Sequence, residues 1–276
     1  MVIEPVSLVF CLSLCFCFGV PVLADEASPI ELPEKERTGR ALKVLRLAFR
    51  DVDVWNRVRG AEALLSNGSV ANIKEIFLKE LQNTGSDYRI GVWRVLTRAH
   101  QKDPLAAREY INKIRDVFLD HTATDRDAAL EALGKLEYSE RLDEILRVAK
   151  EGKGSLQARA RWILANSGDP RDEAALAELL DSVDANVRAS TAYALRYLKS
   201  LQSSTLAKLE WAADKEPYDS RSRAYEISAL YVHTAMGRKA EIKERLLKYT
   251  SGNTEQRAEL CAALGVAGED VDFPLL

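Results

Sequence analysis

Cysteine and histidine are scarce in this sequence. Three of the four cysteines (Cys11, Cys15 and Cys17) fall in the first two dozen residues, and beyond them only Cys261 remains. A lone cysteine closes no intrachain disulfide and builds no zinc site of the CxxC type. Cys261 stands three residues before Leu264 on an apolar stripe and reads as a small buried hydrophobe. The three histidines, His100, His121 and His233, form neither H-E-x-x-H nor any other metal-binding spacing. His100 and His121 stand near expected helix ends, where the ring serves the last carbonyls and the helix dipole. A phosphate-cradling glycine loop is missing too, since Gly152-Lys153-Gly154-Ser155 has the wrong spacing and reads as a turn. The acid pairs Asp125/Asp127 and Glu269/Asp270 fall in polar connections. No run of alternating β-branched residues argues for a sheet. Neither sign of charge dominates: 39 basic residues face 42 acidic ones. That balance excludes the basic footprint of a general nucleic-acid binder. No catalytic residue, metal or cofactor emerges, and the reading is a non-enzyme.

What the sequence has instead is a repeat. Asp184–Leu198, DANVRASTAYALRYL, reads as one short helix whose pattern returns along the chain. An arginine stands seven residues before a leucine in Arg57/Leu64, Arg89/Leu96, Arg126/Leu133, Arg188/Leu195, Arg223/Leu230 and Arg257/Leu264, and Gln157/Leu164 is a copy without the arginine. Successive leucines are 32, 37, 31, 31, 35 and 34 residues apart. Self-similarity at such a period marks a solenoid. The residue before each leucine is usually small (Ala63, Ala132, Ala194, Ala229, Ala263), with Val95 and Ile163 as exceptions. Alanine favours helix and lets a neighbouring helix approach closely.

Each repeat helix follows another amphipathic segment: 36–49, 70–81, 105–121, 141–150, 172–180, 204–213 and 240–249. Turn residues separate them, among them Asn67-Gly68, Asp103-Pro104, Gly168-Asp169-Pro170 and Gly252-Asn253. The expected fold class is therefore all-α, an α-solenoid of about seven helix pairs. At roughly 100° per residue, an arginine seven places before a leucine lies on the same stripe near the helix start. Its buried stem and charged head call for a carboxylate. Acids four residues earlier (Asp53, Asp184 and Asp219) are the candidates, and they are good N-caps as well. An Asp–Arg ladder running through Asp53, Arg57, Arg89, Arg126, Asp184, Arg188, Asp219, Arg223 and Arg257 is thus expected to stitch repeats together.

The pattern D-x-x-V-R-x-x-x-A-x-A-L at Asp184–Leu195 resembles the second helix of a HEAT repeat. The short, alanine-rich form is similar to the bacterial HEAT-like repeats named after phycobilisome lyases. The resemblance covers about residues 36–276 at its pattern positions. The fourth copy lacks the arginine, and the second and third space their acid differently. The resemblance implies an all-helical superhelix that binds other macromolecules, and no residue here matches a lyase motif.

The first residues differ in kind. Residues 5–24 carry no charge, and Pro21 and Ala24 precede acidic Asp25-Glu26. That reads as a signal peptide over 1–24 with cleavage after Ala24, although its start carries Glu4 and no Lys or Arg. The rival is an uncleaved membrane anchor, because the run is close to the roughly 20 residues a span needs. A polar linker follows at 25–35, then one repeat domain at 36–276. Near the end, Asp272 and Pro274 with Leu275 and Leu276 look like the opening of a further helix. The expectation is a repeat array that continues beyond residue 276, or one whose end pairs with a second chain.

In an α-solenoid the second helices line the concave face. The positions opposite each leucine carry Arg94, Arg98, Arg159, Trp162, Tyr193, Tyr197 and Tyr225 in the middle of the array. Arg, Trp and Tyr are enriched at interface hot spots. The competing reading packs Trp162 and the tyrosines between repeats with their polar tips wet. The functional expectation is an exported scaffold, periplasmic or extracellular, binding a peptide or protein there. A sensory or assembly domain of a larger exported or membrane protein is the first alternative, and a HEAT-like lyase or other enzyme is the second. No nucleic acid is expected as partner, and membrane contact only through an uncleaved leader or a downstream segment.

Overall fold

The computed structural model describes residues 34–50, 53–66, 68, 72–82 and 86–268. The leader, nearly all of the linker, and the C-terminal residues 269–276 expected to open a further helix or pair with another chain lie outside the described residues. Those described form fourteen α-helices and no strand. In chain order they are α1 Glu34–Phe49, α2 Val54–Ser66, α3 Ile73–Glu80, α4 Ser86–Ala99, α5 Pro104–Leu119, α6 Arg126–Lys135 and α7 Asp143–Glu151. Then come α8 Gly154–Ala165, α9 Pro170–Ala177, α10 Ala185–Tyr197, α11 Ser203–Lys215, α12 Arg221–His233, α13 Met236–Leu247 and α14 Thr254–Ala267. Short 3-10 turns, Glu178–Asp181 and Lys248–Ser251, prolong α9 and α13. The even-numbered helices carry the repeat pattern, and each follows an odd-numbered partner.

Local chemistry sets several boundaries. Asp103-Pro104 and Asp169-Pro170 start α5 and α9: the aspartate accepts from the amide of Ala106 or Arg171, and proline fills N1, where no amide is needed. Asp184 caps α10 through the Asn186 amide. Asn253 and Gln256 exchange side-chain-to-backbone bonds of 3.0 Å in a capping box on α14.

The seven pattern leucines are all buried, and the residue before each is fully so: Ala63, Val95, Ala132, Ile163, Ala194, Ala229 and Ala263 have no exposed surface. Burying each leucine contributes roughly 1.5–3 kcal/mol. The small residues let the even helices meet: α2 packs on α4, α4 on α6, α6 on α8, α8 on α10, α10 on α12, and α12 on α14. The odd helices lie against this row, α1 on α2, α5 on both α4 and α6, α9 on α8 and α11 on α12. Gly60 allows the first pair to close, because a Cβ there would come within 2.7 Å of the Phe49 backbone nitrogen. The core is three clusters in series, the first holding Leu45 to Tyr110, the second Ile90 to Leu164 and the third Trp162 to Leu264. Trp93 packs against the first two. Among the described residues no helix is long and apolar enough to cross a membrane.

Candidate functional site: a cleft along the even-numbered helices

The arginines of the repeat join one helix pair to the next, through acids other than those the spacing suggests. Arg57 reaches Glu80 at 3.0 Å, Arg89 grips Asp125 with two bonds of 2.8 Å, Arg126 meets Glu144 at 2.9 Å, and Arg188 pairs with Glu216. Each of these carboxylates belongs to the following pair. Arg223 and Arg257 bond backbone oxygens of Glu216 and Gly252. Asp53 and Asp184 each give an oxygen to their own helix start, on the amides of Asn56 and Asn186, and Asp219 precedes Ser220, the cap residue of α12. The expected partners are corrected accordingly. A cap carboxylate turns back onto the first-turn amides, while the arginine stem runs on to the neighbouring pair. Gln157, standing where the arginine is missing, bonds the Ala149 carbonyl of its own pair at 3.2 Å.

The opposite side of the even helices forms a cleft of about 1020 Å³. Its described lining comes from all seven even helices and the turns after them, and none from the odd ones. Five of the seven residues expected at the site line it: Arg98, Arg159, Tyr193, Tyr197 and Tyr225. The other two lie beneath. Trp162 has no exposed surface and belongs to the core, with its indole N–H left without an acceptor among the described residues. Arg94 is 5% exposed and engages Glu62 of α2. Trp162 as a contact residue is therefore corrected to packing. Both stand two residues before their leucine, the position from which Glu131 and Tyr193 do reach the lining, so the position alone does not decide exposure.

A polar network floors the middle of the cleft. Glu131 is its hub, taking Lys135 at 2.9 Å, Arg159 at 2.7 Å and the Tyr193 hydroxyl at 3.1 Å. Burial alone would raise the Glu131 pKa, but Lys135 and Arg94 outweigh it and hold the carboxyl below the ordinary range. Arg159 also bonds Asp127. The tyrosines stand ring against ring: Tyr193 to Tyr197 at 5.0 Å and Tyr193 to Tyr225 at 5.9 Å, with Trp162 edge-on below Tyr193 at 5.9 Å. Cations cover these rings. Arg196 lies 5.2 Å from the Tyr193 centroid and 5.3 Å from that of Tyr197, and Arg221 lies 5.5 Å from that of Tyr225.

Arg196 was not in the expected set. It follows Leu195 directly, about 100° around the helix from the core stripe. There it reaches Ser228 at 2.8 Å and Glu259 across the next two even helices. The signal for it was its position between Tyr193 and Tyr197. His233, another lining residue, bonds the Leu195 carbonyl at 2.9 Å, and burial lowers its pKa.

The remaining candidates for chemistry have structural places. His100 directly follows α4, with Nδ1 2.8 Å from the Leu96 carbonyl, and His121 is exposed 3.5 Å from Glu144. Cys261 is buried, which pushes its thiol up to about 11. Among the described residues no group of three His, Cys, Asp or Glu side chains could hold a metal ion. The arrangement offers charged and phenolic groups along a trough, suited to recognition by hydrogen bonds and ion pairs. No protein-family model matches this chain, and no curated protein or solved structure is significantly similar to it.

Proposed function

We propose that the chain is a non-enzymatic scaffold, an α-solenoid of seven HEAT-like helix pairs that holds a peptide or protein segment along its concave face. One observation carries the reading: among the described residues the cleft is lined from end to end by the even-numbered helices and the turns after them. A trough that draws on every repeat suits an elongated macromolecular ligand, and stacked repeats build such surfaces. Its mix of tyrosine and arginine is the composition of interface hot spots. The uncharged stretch 5–24 supports an exported location.

The test is capture of partners from an envelope fraction with the full chain as bait. Ser190 lines the cleft, and Glu244 is exposed on α13. A bulky Ser190→Trp should abolish specific capture, and Glu244→Trp should leave it intact, with both variants retaining wild-type circular dichroism. Equal capture by wild type and Ser190→Trp refutes the cleft as the binding face.

A further inference from the structure

The lining of the cleft differs in charge from the chain as a whole. Seven of its side chains are Lys or Arg and three are Glu, in a protein whose acids outnumber its bases by 42 to 39. Several of those cations are already spent: Arg159 on Asp127 and Glu131, Arg196 on Glu259, Arg221 on Glu255 at 2.5 Å. Arg98 is engaged only at longer range. It forms an ion pair with Glu62, Nε to Oε1 at 3.7 Å, but that is too long for a hydrogen bond, and both Glu62 oxygens already accept from Arg94 at 2.5 and 2.9 Å, so its donors stay unused. The Arg98 side chain is 27% exposed and faces the cleft beside Gln101. A guanidinium with unspent donors at the wall of a trough is a seat for a carboxylate, which it binds through two parallel bonds.

Resting on the peptide-binding reading above, we propose that the ligand of the cleft is an extended acidic protein segment, with a carboxylate seated on Arg98. Two features favour acidic protein over single-stranded nucleic acid, which would also bring negative charge. Stacking bases needs open aromatic faces. Here Tyr193 and Tyr197 are covered by Arg196 and Lys135, and Tyr225 by Arg221. The glutamates Glu131, Glu137 and Glu259 interrupt the cationic lining. They would repel a backbone that carries a charge at every nucleotide, whereas a peptide can space its acids to avoid them.

Fluorescence polarisation with the full chain tests this. The probes are fluorescein-labelled 16-residue peptides of Glu, Ser and Tyr, the same peptides with Gln or Lys replacing Glu, and a 20-nucleotide oligo-dT. The acidic peptide should bind at least about tenfold more tightly than the Gln peptide, and more weakly as salt rises. Arg98→Gln should remove at least about tenfold of that affinity, a charge-assisted bond's share, while Arg98→Lys keeps part of it and Lys199→Glu, at the exposed rim, changes mainly the salt dependence. Binding of the Gln or Lys peptide as tightly as the acidic one overturns the acidic preference and leaves the peptide-binding reading standing. So does failure of every peptide while Ser190→Trp still abolishes capture. Tighter binding of oligo-dT overturns both.

Discussion

Arg94 and Glu62 face each other between α4 and α2, with Nε 2.5 Å from Oε1 and Nη2 2.9 Å from Oε2, both side chains less than a tenth exposed. The pair locks neighbouring repeats beneath the cleft. Burial alone would raise the Glu62 pKa, but Arg94 and Arg98 hold it down at about 2. The folded value is depressed, so the stability this group contributes is complete above about 4.5 and is lost as pH falls toward about 2. Glu62→Gln leaves a buried guanidinium without its counter-charge and should cost about 3–5 kcal/mol at neutral pH. Glu62→Leu combined with Arg94→Met should cost much less. Urea denaturation of the three proteins measures the difference; equal losses in the single and double variants would contradict the pairing.

Gly134 and Trp162 give a second prediction. Alanine in place of glycine inside a helix normally stabilises by about 1 kcal/mol. A Cβ on Gly134, however, would fall 2.5 Å from Trp162 Cε3. Gly134→Ala should therefore destabilise, by about 1–3 kcal/mol through overpacking, and Trp162→Ala by about 3–5 kcal/mol. Thermal melts read both, and a raised melting temperature in Gly134→Ala would show that the indole does not rest on α6.

Glu226 on α12 has no exposed surface, and neither carboxylate oxygen finds a hydrogen-bond partner among the described residues. Burial first, then the charge of Glu216, pushes its pKa up to about 8 against the opposing pull of Arg188 and Arg223. The folded value is raised, so stability is full below about 4.5 and declines as pH rises toward about 8. Glu226→Gln keeps the shape without the charge. It should flatten the stability profile between pH 5 and 8 and be the more stable protein, by on the order of a few kcal/mol, at pH 8. Parallel profiles for the two proteins would mean that Glu226 keeps its charge on folding.

The helix pairs were legible because burial enforces period. The seven leucines and the residues before them can go nowhere but inward, so their spacing survives in the sequence. The cleft was legible only in part, since helix phase tells which side a Cβ leaves from but not where a long side chain ends. Arg94 and Trp162 leave on the cleft side and are then covered by the neighbouring helices. Arg196 leaves about 100° from the stripe and arrives in the lining. The ladder shows the same limit. The arginines were identified by spacing, but Glu80, Asp125, Glu144 and Glu216 keep no fixed distance from them, because Glu80 and Glu144 stand on the first helix of the following pair while Asp125 and Glu216 stand in the connection to its second.

Site-specific photo-crosslinking shows which face of the helix array meets the partner. A benzophenone amino acid is placed in the full chain at Ser190 in the cleft, or at Glu244 on α13, and irradiated in the presence of the captured partner. Position 190 should give a covalent adduct with the partner, and position 244 none. An adduct from 244 with none from 190 would place the binding surface on the odd-numbered helices and contradict the cleft as the binding face.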